Sequence, residues 1–221
     1  MKKYITEFIG TFFLVAIICL TNGNYLAPMA VGFLLSAIIY MGYPISGAHY
    51  NPATTLAIFI LKKISIREAV VYILIQLLAA CAGALLYFFV WGRNSGIPRP
   101  NMDIHILKPL VIEVVFTFIM ILVILFVAAS KRTAGNNYYG LAIGLVVSGL
   151  AIAGGRISGA AFNPAVGFGP LLIDKLFGTC DCNPFEYGWI YYLGPIAGST
   201  LAAFTFRYLS PEDIGTTNSI N

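Results

Sequence analysis

Charge is what this sequence has least of. Of its 221 residues only 10% are Asp, Glu, Lys or Arg, against about 25% in an ordinary soluble domain. So few ionic side chains cannot clothe a water-facing surface, which excludes a soluble globular protein. Histidine is scarce as well, with two residues, and cysteine with four. Cys19 and Cys81 lie inside apolar runs and read as small core residues. Cys180 and Cys182 share a polar loop in which only Asp181 could add a ligand, so neither a metal nor another cofactor is expected. No Ser/His pair or ligand cluster falls at span depth, which speaks against an enzyme. The net charge is +4, yet the bases sit in short clusters at the ends of apolar runs. That is the pattern of membrane topology, and no nucleic-acid partner is expected.

Apolar residues are what is there instead, 59% of the chain, with a mean hydropathy of +0.85. A helix needs about 20 apolar residues to cross a bilayer. Six runs qualify, near 4–22, 26–44, 66–91, 107–129, 138–155 and 186–208. The first follows Lys2 and Lys3 but is long for a signal segment, so it reads as a retained span. Two further runs, 52–61 and 164–173, are too short to cross alone. Set end to end, they would make one complete span.

The two halves repeat. Ile45-Ser46-Gly47-Ala48-His49-Tyr50-Asn51-Pro52-Ala53 returns as Ile157-Ser158-Gly159-Ala160-Ala161-Phe162-Asn163-Pro164-Ala165, identical at seven of nine positions with an offset of 112. Ala30, Gly32 and Ser36 match Ala142, Gly144 and Ser148 at the same offset, and Glu7, Thr11 and Phe12 match Glu113, Thr117 and Phe118 at 106. Each half holds three spans and one half-helix. An odd number of spans turns the second copy upside down, giving an inverted 3+3 repeat with its site at the midplane. The expected organisation is one transmembrane channel domain over 1–209, with repeats at about 4–91 and 107–208 and a loose polar tail at 210–221. With the N-terminus inside, eight bases fall on inner segments and five on outer ones, which places both termini in the cytoplasm.

Asn is among the best helix N-caps, and Pro is favoured at the first helical position. Each Asn-Pro-Ala (Asn51, Pro52, Ala53 and Asn163, Pro164, Ala165) therefore opens a helix, over 52–61 and 164–173. Two half-helices meeting at their N-termini direct about +0.5 charge each at one point. A cation is disfavoured there, whereas a neutral molecule with an oxygen acceptor is accommodated.

These paired motifs, with Thr6-Glu7-Phe8-Ile9-Gly10-Thr11-Phe12 near the start and Tyr192-Leu193-Gly194-Pro195-Ile196-Ala197-Gly198 near the end, resemble the major intrinsic protein family of aquaporins and aquaglyceroporins over nearly the whole chain. The resemblance implies an all-α membrane protein with six transmembrane helices and two re-entrant half-helices. It implies a homotetramer in a lipid bilayer, in the plasma membrane, passing water and small neutral solutes such as glycerol. Its filter positions fall on Val31, Ala151, Ala160 and Val166. Here the sequence departs from the family, whose residue after the second motif is usually Arg and whose other filter positions often carry rings. Val and Ala would widen the passage and remove a fixed charge. Arg156, seven residues before Asn163 in the segment expected to descend to the motif, could supply that charge or simply stand at the outer mouth. An ion-coupled secondary transporter of a small neutral solute remains the alternative, since transporters also use inverted repeats and broken helices.

Three more residues stand out. Glu7 and Glu113 are carboxyls at matched depth in two spans, a setting that raises the question of a proton relay. Each descending loop also exposes backbone N–H groups that need acceptors, and the loop-support role is favoured. His49, replaced by Ala161 in the second half, either packs under the first loop, the favoured role, or gates the inner mouth with pH, and Gln76 is expected to bond a helix to a loop.

Overall fold

The computed structural model describes residues 1–178 and 183–215, so Cys180 and Cys182 lie outside the described residues. Long helices are α1 (Lys2–Leu20), α2 (Ala27–Ser46), α4 (Ile66–Trp91), α5 (Leu107–Ile124), α6 (Tyr139–Ser158) and α8 (Ile190–Leu209). Shorter are α3 (Pro52–Ile60) and α7 (Pro164–Phe177). A π turn, Leu125–Ala129, prolongs α5. No strand occurs among the described residues.

Among the described residues five helices are long and apolar enough to cross a membrane: α1, α2, α4, α5 with its π turn, and α6. The last helix has the length, 20 residues, but less apolarity. Its Gly194 and Gly198 are buried where it packs on α5. A methyl on Gly198 would overlap the Val114 carbonyl, so close approach costs this helix its greasy side chains.

Packing follows the repeat. In the first half α1 lies on α4, in the second α5 lies on α8, and α2 crosses α6 between them. That crossing is reciprocal: a methyl on Gly32 would overlap Ser148 Oγ and the Gly144 carbonyl, and one on Gly144 would overlap Ser36 Oγ and the Gly32 carbonyl. Each half-helix packs on the third long helix of the other half, α7 on α4 and α3 on α8. Gly149, another small residue of α6, has open space around it and plays no such part.

Hydrogen bonds identify the two ends of the bundle. At the terminal face Lys3 pairs with Glu68, Ser130 Oγ donates to Asp213 at 2.7 Å, and Gly215 N–H reaches the Leu61 carbonyl at 3.0 Å. At the distal face Asn22 Nδ2 donates to the Ser95 carbonyl at 2.6 Å, and Asn101 N–H to the Ile157 carbonyl at 2.9 Å.

Three expectations need correction. First, α6 runs on to Ser158, so Arg156 sits in its last turn rather than in the descending segment. The helix ends only where Gly159 turns left-handed, at φ 88. Second, α7 extends to Phe177 instead of 173, because Asp174 is satisfied sideways. Its carboxylate accepts from Ser95 N–H at 2.9 Å, Ser95 Oγ at 3.1 Å and Gly96 N–H at 3.0 Å. Third, the start of the tail is not loose: residues 210–215 dock on the terminal face, with Asp213 fully buried and accepting from Ser130 Oγ and from Lys131 N–H at 3.0 Å.

Candidate pore

Two segments descend into the bundle with nearly the same backbone. Gly47 and Gly159 leave their helices at φ 83 and 88, followed by Ala48 and Tyr50 at 49 and 50, and by Ala160 and Phe162 at 52 and 48. Residues other than glycine are strained in this left-handed region, by of order 1–3 kcal/mol each, and hold it only when their surroundings fix them.

Two buried carboxylates do the fixing. Glu7 Oε1 accepts from Ser46 Oγ at 2.8 Å and His49 N–H at 2.9 Å, while Oε2 accepts from Tyr50 N–H at 2.8 Å and Gln76 Nε2 at 2.9 Å. Glu113 Oε1 accepts from Ser158 Oγ at 2.7 Å and Ala161 N–H at 3.1 Å, and Oε2 from Phe162 N–H at 2.8 Å. Two tyrosines that sequence reasoning missed complete the support. Tyr72 O–H donates to the Ser46 carbonyl at 2.9 Å and Tyr191 O–H to the Ser158 carbonyl at 2.6 Å, each closing the end of the helix above the loop. His49 is held by Thr55 Oγ1 at 3.0 Å from Nδ1 and edge-on by the Tyr72 ring. Gln76 bonds helix to helix rather than to a loop, reaching Glu7 and Thr55 Oγ1.

The half-helices start as N-caps require. Asn51 Oδ1 accepts from Ala53 N–H at 2.7 Å and Asn163 Oδ1 from Ala165 N–H at 2.9 Å. The two amides then cross over: Asn51 Nδ2 donates to the Phe162 carbonyl and Asn163 Nδ2 to the Tyr50 carbonyl, both at 3.0 Å. The N-termini of α3 and α7 therefore meet. Their 9 and 14 residues give about 34 Å of helix end to end, enough for a hydrocarbon core of about 30 Å. Each amide keeps one further N–H for a molecule beside it.

Both asparagines line a cavity of about 1120 Å³. It reaches Asn24 and Arg99 at the distal end, and Lys63 and Ala129 at the terminal end. Val31, Ala151, Ala160, Val166, His49 and Arg156 line it too. Pro52, Ala53, Pro164 and Ala165 are buried behind it as the first turns of the half-helices, and Glu7 and Glu113 lie behind the loops. Arg99 comes from a segment without a sequence motif. That segment is folded in by the Asp174 carboxylate and lies so close to Gly159 that a Cβ there would stand 2.8 Å from Arg99 N.

The sequence profile described as major intrinsic protein matches residues 1–206. The chain belongs to the major intrinsic protein family. It is 36% identical to aquaporin AqpM of Methanothermobacter marburgensis, over 96% of this chain and 98% of that protein. It is 31% identical to glycerol uptake facilitator protein-like 6 of Lactiplantibacillus plantarum, over 96% of this chain and all of that protein. The solved aquaglyceroporin of Plasmodium falciparum superposes with a TM-score of 0.80 at 23% identity, covering 93% of this chain and 94% of that one. The major intrinsic protein fold makes α8 the sixth transmembrane helix and α3 and α7 the re-entrant pair. The chain is an integral membrane protein.

Proposed function

We propose that the protein is a passive transmembrane channel for water and small neutral solutes such as glycerol. The observation that carries this reading is the cross-bonded pair Asn51 and Asn163 at the meeting helix N-termini, both on the cavity wall. Two partial positive charges at that point repel cations, while the free amide N–H groups receive an oxygen of water or an alcohol. Val31, Ala151, Ala160 and Val166 occupy the family's filter positions and form a wide apolar ring, with Arg156 a mouth charge beyond it. Glu7, Glu113 and His49 serve as loop support. With every oxygen of Glu7 and Glu113 committed to loop or side-chain donors, neither acid is available to couple an ion, which weighs against a secondary transporter. The relatives' names, an aquaporin and a glycerol facilitator, fit the same class. The reading includes a homotetramer in the plasma membrane with the terminal face in the cytoplasm, the side richer in Lys and Arg.

Stopped-flow swelling of proteoliposomes in water, glycerol and urea gradients tests the proposal. The expected outcome is water flux well above that of protein-free vesicles, with glycerol following. Flux no greater than in protein-free vesicles would end the channel reading.

A further inference from the structure

The cavity wall repeats with the chain. At the 112-residue offset, Val31, Ala151, Ala160 and Val166 have Ile143, Ile39, Ala48 and Thr54 as counterparts, and these four also line the cavity. Inversion sets them across the asparagine pair. Ile39 lies about 12 Å further along α2 than Val31, and Ile143 about 12 Å before Ala151 along α6. Two rings thus bracket the asparagines, one towards each face.

The rings are not equal. The terminal-side ring carries two isoleucines and a threonine where the distal ring carries an alanine and two valines. All four of its members are buried, at 3% for Ile39, 8% for Ala48, 4% for Thr54 and 5% for Ile143. In the distal ring Ala151 and Ala160 stay partly accessible from the cavity. The next layer repeats the imbalance, with Tyr43 on the terminal side where Gly155 stands on the distal side. Thr54 Oγ1 is buried with no hydrogen-bond partner, and it is the only side-chain hydroxyl in either ring. A buried polar atom left unpaired destabilises the fold, so its place on a pore wall calls for a visitor that bonds to it.

We propose that Ile39, Ala48, Thr54 and Ile143 set the size limit of this pore, in place of the four distal filter positions, with the Thr54 hydroxyl as the hydrogen-bonding post of the narrow ring. The inference rests on the channel reading. A polyol passes the distal ring, reaches the asparagines and is slowed at the isoleucines, whereas water proceeds. The pore therefore passes water faster than polyols, which it admits freely only as far as a vestibule on the distal side.

Full-length protein in proteoliposomes gives the test, with water and glycerol flux measured side by side. Ile39→Ala/Ile143→Ala should raise glycerol flux several-fold and water flux far less, with Ile39→Val/Ile143→Val intermediate and close to native packing. Val31→Ala and Val166→Ala should shift the ratio of glycerol to water flux far less than the isoleucine variants do. Thr54→Val, which keeps the shape, should lower water flux, and Thr54→Ser should retain it. Distal variants that raise glycerol flux as much as the isoleucine variants, or isoleucine variants that change nothing, would overturn the inference while parent water flux upholds the channel. Equal flux in Thr54→Val and Thr54→Ser would remove the hydroxyl's role. A parent without water flux would overturn the channel reading itself, and this inference with it.

Discussion

Glu113 offers two oxygens to three donors, Ser158 Oγ and the N–H groups of Ala161 and Phe162, and so holds the loop at the left-handed Phe162 and just after the left-handed Ala160. Glu113→Gln keeps one acceptor oxygen and turns an amide NH₂ towards the other donors. A buried donor left unpaired costs about 1–3 kcal/mol, so the detergent-solubilised variant should unfold at lower temperature, with no change in the dependence of flux on ion gradients. Tyr191→Phe removes a single hydrogen bond at the same loop and should cost about 1 kcal/mol, seen as a smaller shift in the same thermal assay. Glu7 and Glu113 are visible in the sequence because an acid inside an apolar span is conspicuous and both sit at one offset. Tyr72 and Tyr191 are not, since they stand 119 residues apart, outside the offset that aligns the loops. An aromatic in an apolar helix carries no mark of what its hydroxyl reaches.

Helix starts and helix ends differ in how far local chemistry decides them. Asn followed by Pro fixes the first residue of α3 and of α7, because the cap and the missing N–H act within one turn. The ends depend on distant partners. The apolar run ends at Ile173, yet α7 continues to Phe177 because Ser95 and Gly96, 79 and 78 residues away from Asp174 in sequence, satisfy its carboxylate. Arg156 falls in helix rather than loop for a similar reason, since Tyr191 O–H and the Glu113 carboxylate hold Ser158 at the end of α6. The α2–α6 crossing, by contrast, follows from repeated Gly and Ser that pair one half with the other. Gly144→Ala would drive a methyl into Ser36 Oγ and the Gly32 carbonyl. Overpacking of this kind costs about 1–3 kcal/mol, so the variant should lose thermal stability and water flux together, whereas Gly149→Ala, set in open space, should change neither.

Across the whole molecule the distribution of charge matches the cavity's task. Among the described residues, its lining includes Arg99, Arg156 and Lys63 but no carboxylate. Positive groups stand at both mouths, with the paired helix N-termini between them. Arg99→Gln/Arg156→Gln should therefore raise any cation leak while leaving water flux unchanged. The difference should shrink as ionic strength rises from about 0.01 to 0.15 M, where the Debye length falls from about 30 to 8 Å. Liposome potassium flux measured at the two salt concentrations reads this directly. The central claim is that solute moves through this cavity passively, with Glu7 and Glu113 as supports rather than proton carriers. Radiolabelled glycerol uptake into proteoliposomes, followed to its plateau with and without imposed proton and sodium gradients, tests it most directly. The account predicts the same plateau in every condition, at equal concentration inside and out. Accumulation above the external concentration driven by either gradient would contradict it.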